Sequence, residues 1–205
     1  MHRRTLLLSA RLLGGRAAVA QTAQGAEAAA LVATLRAGHC VVVMRHGITD
    51  RSQADTGDLS RRAAQRNLSD AGRAQSSRTG RAFVALGIPL GDVLASPVFR
   101  ARDTAELAFG PRMQVEDKLT ADDYTPDPAL LRQRIAWLAT RSGQPSGPGV
   151  TDVLVGHIVP LGMMLGRSLS QGEYPEGSLA VFAPAATGRL LGVLAAETLW
   201  AAASV

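Results

Sequence analysis

Residues 41–47 read VVVMRHG: Val41-Val42-Val43-Met44-Arg45-His46-Gly47. Four apolar residues in a row describe a short, fully buried strand of the kind found inside a parallel sheet. Arg and His are seldom buried without partners, so this pair is expected where the strand leaves the sheet. In open α/β sheets that is the carboxyl edge, where ligands bind. A solvated Arg followed by a turn Gly is the plainer reading of the same seven residues.

Upstream, Ala26 to Arg36 is a run of good helix formers, and Gly38 stands just past it as a stop. Downstream, residues 48–68 are polar and without periodicity, which reads as a long loop crossing the sheet edge. Ser69 is placed to cap a helix over about 70–86, with Gly87 and Pro89 ending it. Asp92-Val93-Leu94-Ala95 reads as a second strand. Ser96-Pro97 reads as a cap and first helical residue, opening a helix that runs to Gly110. Another helix is expected over Pro128 to Thr140, then a loop at 142–149. DVLVGH (152–157) repeats the opening pattern, a buried strand delivering a histidine. A helix follows Pro160, and Ser178–Phe182 and Leu190–Val193 read as late strands. Strands and helices alternate, so the fold class is α/β with a largely parallel sheet.

Three strand ends therefore carry polar groups: Arg45 and His46 after the first, Ser96 and Arg100 after the second, His157 after the third. Parallel strands bring all three to one edge. Arg100, one turn into its helix, is set to point back over that edge near a helix N-terminus that favours anions. The ligand such a site fits is a dianion such as a phosphoryl group, gripped by guanidinium forks. A neutral imidazole is nucleophilic, and an ordinary pKa of about 6.5 leaves it mostly neutral at pH 7. One His would attack phosphorus and carry the group as a phosphoenzyme. The second His and the arginines would neutralise charge on the equatorial oxygens. No metal and no cofactor is required when cationic side chains do that work.

These blocks resemble the histidine phosphatase superfamily, which includes the phosphoglycerate mutase-like enzymes. RHG at 45–47 matches its signature, with His46 at the nucleophile. SPVFRARDTAE at 96–106 is similar to its second block, in which Arg100 holds the phosphoryl group. LVGH at 154–157 is similar to its third, placing His157 in the pocket. NLSDAGRAQ at 67–75 resembles its Leu-Ser/Thr-x-x-Gly helix start. The resemblance covers roughly residues 38–182. It implies a three-layer α/β sandwich with a mostly parallel central sheet, phosphoglycerate mutase-like. It implies phosphomonoester hydrolysis through phospho-His46, with Arg45 and Arg100 on the phosphoryl oxygens and His157 stabilising the transition state.

The chain also departs from that pattern. Mutase-like members carry a Glu as general acid some twenty residues past the second block. Here KLTADDY (118–124) has Ala121 at that place, leaving Asp122, Asp123 or Asp50 as candidate acids. This favours a phosphatase over a mutase-like phosphotransferase. A catalytically quiet phosphate-binding module of the same fold is the rival of a different class. In the long loop, Arg66 and Asn67 are expected near the pocket mouth, with Asn67 as a substrate contact.

Composition narrows the partners. The formal charge is +5, but Arg3, Arg4, Arg11 and Arg16 lie in the first twenty residues, which hold no Asp or Glu. The remainder carries +1, too little for the basic face of a nucleic-acid binder. The partner expected is a small phosphorylated substrate. A single cysteine, Cys40, forbids an internal disulfide, and no Cys/His cluster has zinc-site spacing. No apolar run is long enough to span a membrane as a mature helix. Residues 1–20, MHRRTLLLSARLLGGRAAVA, have the basic start, apolar stretch and small-residue end of an export signal. The expected organisation is that signal, then one histidine phosphatase domain over 21–205 in the periplasm or outside the cell.

Overall fold

The apolar run becomes β1 (Cys40–Arg45), buried at every position. The computed structural model describes residues 25–204, so the expected export signal lies outside the described residues. β1 sits inside a six-stranded sheet with β2 (Leu90–Ala95), β3 (Met113–Val115), β4 (Thr151–Gly156), β5 (Leu179–Ala183) and β6 (Arg189–Leu194). The spatial order is β3-β2-β4-β1-β5-β6. β1 pairs parallel with β4, β4 with β2 and β2 with β3; β5 and β6 complete one edge antiparallel.

Period-2 alternation explains why β1 is apolar throughout. Val42 and Met44 face one layer of helices, with Leu31, Leu35, Phe83, Ala101, Phe109 and Leu199. Those residues belong to α1 (25–37), α2 (Asp70–Ala85), α3 (Phe99–Phe109) and α6 (Ala196–Ala203). Val41 and Val43 face the other layer, with Leu138 of α4 (Pro128–Ser142), Leu161 of α5 (Ile158–Met164) and Tyr174. The result is a three-layer sandwich. Each fully buried aliphatic side chain contributes about 1.5–3 kcal/mol relative to exposure, which pins the register of the central strands.

The boundaries of the expected helices follow the sequence signals with two differences, while α6 and the short β3 were not expected from the sequence at all. Ser69 caps α2 as expected, its hydroxyl accepting from the Gly72 N–H at 3.1 Å. Ser96, however, is not the cap of α3. That helix starts at Phe99, with Val98 as N-cap; the Ser96 hydroxyl accepts from the Val98 N–H at 3.3 Å and meets His157 Nε2 at 2.9 Å. α5 likewise begins at Ile158, ahead of Pro160. Pro160 lies in the first turn, where its missing N–H has no helical partner to lose. Residues 48–68 form the expected long connection, tied down by a Thr49–Leu68 bridge and a 3-10 turn at Arg62–Ala64. Among the described residues no helix is long and apolar enough to cross a membrane.

Candidate active site

The register of three parallel strands builds the site. Arg45 stands opposite Gly156, and Ala95 opposite Val155. The residues that follow, His46, Ser96 and His157, therefore emerge side by side at the carboxyl edge. The His46 N–H donates to the Gly156 carbonyl at 3.1 Å, and the Ser96 N–H to the Val155 carbonyl at 3.0 Å. The two imidazole centroids are 5.4 Å apart, tilted by 55°.

His46 has a defined tautomer. Its Nδ1 lies 2.9 Å from the Gly47 carbonyl oxygen, an atom that only accepts, so Nδ1 carries the hydrogen and Nε2 keeps its lone pair. Gly47 follows because there is no room for a side chain. A Cβ there would meet Ser76 Oγ at 2.9 Å and the Gly72 carbonyl at 3.0 Å. Its N–H donates to Thr104 Oγ1 at 2.9 Å, fixing the turn against α3. His157 is held by Ser96 through Nε2, and its Nδ1 is buried with no partner among the described residues.

Two guanidiniums flank the pair, both buried. Arg45 Nη1 donates to the Tyr174 carbonyl at 2.6 Å, and Nη2 is 3.9 Å from Glu176. Arg100 Nη1 donates to both oxygens of Asp55, at 2.9 and 3.0 Å, and Nη2 is 3.6 Å from Asp123. Five buried side-chain polar atoms lack a partner among the described residues: Arg45 Nε, Arg66 Nε, Arg100 Nε, His157 Nδ1 and Ser178 Oγ. An unsatisfied buried donor costs about 1–3 kcal/mol. Three guanidinium N–H groups in that state, with an imidazole nitrogen beside them, are a set of polar atoms suited to an oxyanion.

Electrostatics set the protonation states. Burial pushes the His46 pKa well below its ordinary value; Arg100, then Arg45 and Arg66, push it further, and the Gly47 hydrogen bond only partly opposes them. Burial does the same to His157, followed by Arg100, His46, Arg45 and Arg66. Both imidazoles are therefore neutral at neutral pH in the free protein. Asp123 moves the other way. Burial raises its carboxyl pKa against the pull of Arg100, and nearby Asp55 and Asp122 raise it further.

Of the residues expected at the site, Arg45, His46, Arg100 and His157 are brought together, and Arg66 joins them. Asn67, expected as a substrate contact, turns its amide into its own loop. Its Nδ2 donates to Gln53 Oε1 and to the carbonyls of Arg62 and Gln65, at 3.0, 3.0 and 2.7 Å. A short polar side chain in a loop finds nearby backbone first, and this one braces residues 53–67. The three candidate acids separate. Asp50 is held below the usual carboxylate range by hydrogen bonds from Ser52 and Gln53, the wrong direction for an acid. Asp122 makes no ion pair with either arginine among the described residues, whereas Asp123 borders Arg100. Sequence reading missed Ser96 as the support of His157, and it missed Asp55, Tyr124 and Glu176. Ser96 carried a signal that pointed to a cap; Asp55 lies in a stretch with no periodicity to place it.

Residues 41–124 match the family model of the histidine phosphatase superfamily (branch 1). The fold is similar to that of the protein histidine phosphatase SixA, solved with tungstate (18% identity, TM-score 0.53, 78% of this chain and 98% of that one). It is also similar to that of a phosphoserine phosphatase variant from Entamoeba histolytica in complex with phosphoserine (14% identity, TM-score 0.51, 78% and 98%). No curated protein matches the chain.

Proposed function

From a chain with the histidine phosphatase (branch 1) pattern across residues 41–124 and a phosphoglycerate mutase-like fold, we propose a metal-independent phosphomonoesterase acting through phospho-His46. The observation that carries this reading is the convergence of Arg45, Arg66 and Arg100 Nε and His157 Nδ1, all buried and unpartnered, around an imidazole whose Nε2 lone pair is free.

The lone pair of His46 Nε2 attacks phosphorus, and the P–O bond to the leaving group breaks. The guanidiniums and His157 take the charge that spreads over the equatorial oxygens. Asp123, with its raised pKa, protonates the departing alkoxide. As a carboxylate it then accepts a proton from the water that attacks phospho-His46, and the P–N bond breaks to release phosphate. Ala121, buried at the position where the mutase-like pattern has a Glu, has no proton to give, which supports hydrolysis over transfer between hydroxyls. The substrate is a small phosphomonoester.

The test is turnover of p-nitrophenyl phosphate by the wild type and His46→Ala. Loss of the nucleophile is expected to lower kcat by ~10³-fold or more. Turnover that survives His46→Ala would falsify the reading.

A further inference from the structure

Asp55 takes no part in the chemistry above, yet its carboxylate lies in the anion site. Both of its oxygens meet Arg100 Nη1, at 2.9 and 3.0 Å. Oδ1 also accepts from the Arg66 backbone N–H at 3.0 Å and from the Tyr124 hydroxyl at 2.5 Å. These are the donor types that bind phosphoryl oxygens, and here a resident carboxylate already uses them. The side chains of Arg100, Asp55 and Asp123 are 4%, 17% and 45% exposed. Asp55 is thus the more deeply set of the two carboxylates beside Arg100. One positive charge on that flank faces two negative ones. On the opposite flank Arg45 and the exposed Arg51 share Glu176, at 3.9 and 3.3 Å. Arg100 nevertheless keeps a buried, unpartnered Nε, so its free edge faces a ligand while Nη1 stays with Asp55.

A dianion bound at that edge sits a few ångströms from the Asp55 carboxylate, and partial burial leaves their repulsion less screened than in water. Resting on the phosphatase reading above, we propose that Asp55 is a specificity-determining counter-charge. It keeps phosphoryl oxyanions loosely held, so that product phosphate leaves. It also turns away substrates whose leaving group carries a second anionic group near the phosphoryl. The substrate class is a phosphomonoester with a neutral or cationic leaving group.

The test is calorimetric titration of the protein with tungstate, in the wild type, Asp55→Asn, Asp55→Glu and Tyr124→Phe. Asp55→Asn is expected to bind at least about tenfold more tightly, one charge having been removed a few ångströms from a dianion in a partly screened site. Asp55→Glu restores the charge and returns the Kd toward the wild-type value. Tyr124→Phe frees the loop but keeps the charge, so it does not reproduce the tightening. In kinetics, the kcat/KM ratio of 3-phosphoglycerate to p-nitrophenyl phosphate rises about tenfold in Asp55→Asn. Tungstate binding no tighter in Asp55→Asn, or equal tightening in Tyr124→Phe, overturns the role of Asp55. If that happens while turnover still depends on His46, the phosphatase reading stands alone. If no variant binds tungstate, both fail.

Discussion

At the scale of single residues, the proposed reaction needs two imidazoles held neutral and one carboxyl protonated further up the pH scale than usual. His46 attacks only when Nε2 is unprotonated. Its pKa lies well below 6.5 through burial and Arg100, so the attacking form persists on the acid side of pH 6.5. Asp123 donates only when protonated. Its pKa is raised from 3.8, so the donating form is lost as pH rises through that raised value. A p-nitrophenolate leaving group needs no acid, whereas an alkoxide does. The ratio of kcat/KM for an alkyl phosphate to that for p-nitrophenyl phosphate should therefore fall as pH rises. Ionisation of the phosphate itself differs between the two substrates but is the same for every enzyme variant, so it is removed by comparing the wild-type ratio with that of Asp123→Asn. That variant should show a shallower fall, and an unchanged slope would remove Asp123 from the reaction. Arg45, His46, Arg100 and His157 were legible in the sequence because each follows an apolar run or a strong turn signal. Asp55 was not, because a polar loop carries no period from which to place a side chain. Asn67 was misjudged for the same reason, its amide being consumed by the loop it was expected to project from.

At the scale of elements, the turn between β2 and α3 is the informative one. Ser96-Pro97 has the composition of a helix start, yet the hydroxyl holds His157 Nε2 at 2.9 Å and the helix waits until Phe99. The hydroxyl keeps a local bond from the Val98 N–H, but its contact with His157 is 61 residues away in sequence, and no window around Ser96 contains it. Ser96→Ala should free the His157 ring and lower kcat by up to about 10²-fold, the effect of an ångström-scale misplacement. Its melting temperature should drop by only a few degrees, as for one lost hydrogen bond. A kcat equal to the wild type's would show that His157 is oriented by packing alone. The long connection after β1 was legible as a loop. What positions it was not: Gly72 has no room for a Cβ, which would stand 1.9 Å from the Ile48 carbonyl, and Arg62 pairs with Asp103 on α3. The approach of α2 to the turn after His46 thus depends on Gly72, the glycine of the Leu-Ser/Thr-x-x-Gly helix start, whose contact with Ile48 no local pattern shows.

At the scale of the whole molecule, one arrangement places the chemistry. Three parallel strands end in register, two apolar layers clamp them, and the polar residues that follow have one edge on which to meet. That much was legible, because runs buried on both faces dictate a parallel sheet, and a parallel sheet dictates a shared carboxyl edge. The antiparallel β5 and β6 add Tyr174 and Glu176 in the loop before them, whose contacts with Arg45 are long-range and carry no sequence signal. The same architecture leaves buried donors unpartnered at that edge, a local destabilisation that an oxyanion relieves. The decisive measurement is a rapid-quench trap of the protein during turnover of a ³²P-labelled phosphomonoester. The expected result is one labelled phosphohistidine, acid-labile and base-stable, on the peptide containing His46 and absent from His46→Ala. Efficient turnover with no label on that peptide, or label on another residue, would contradict attack by His46.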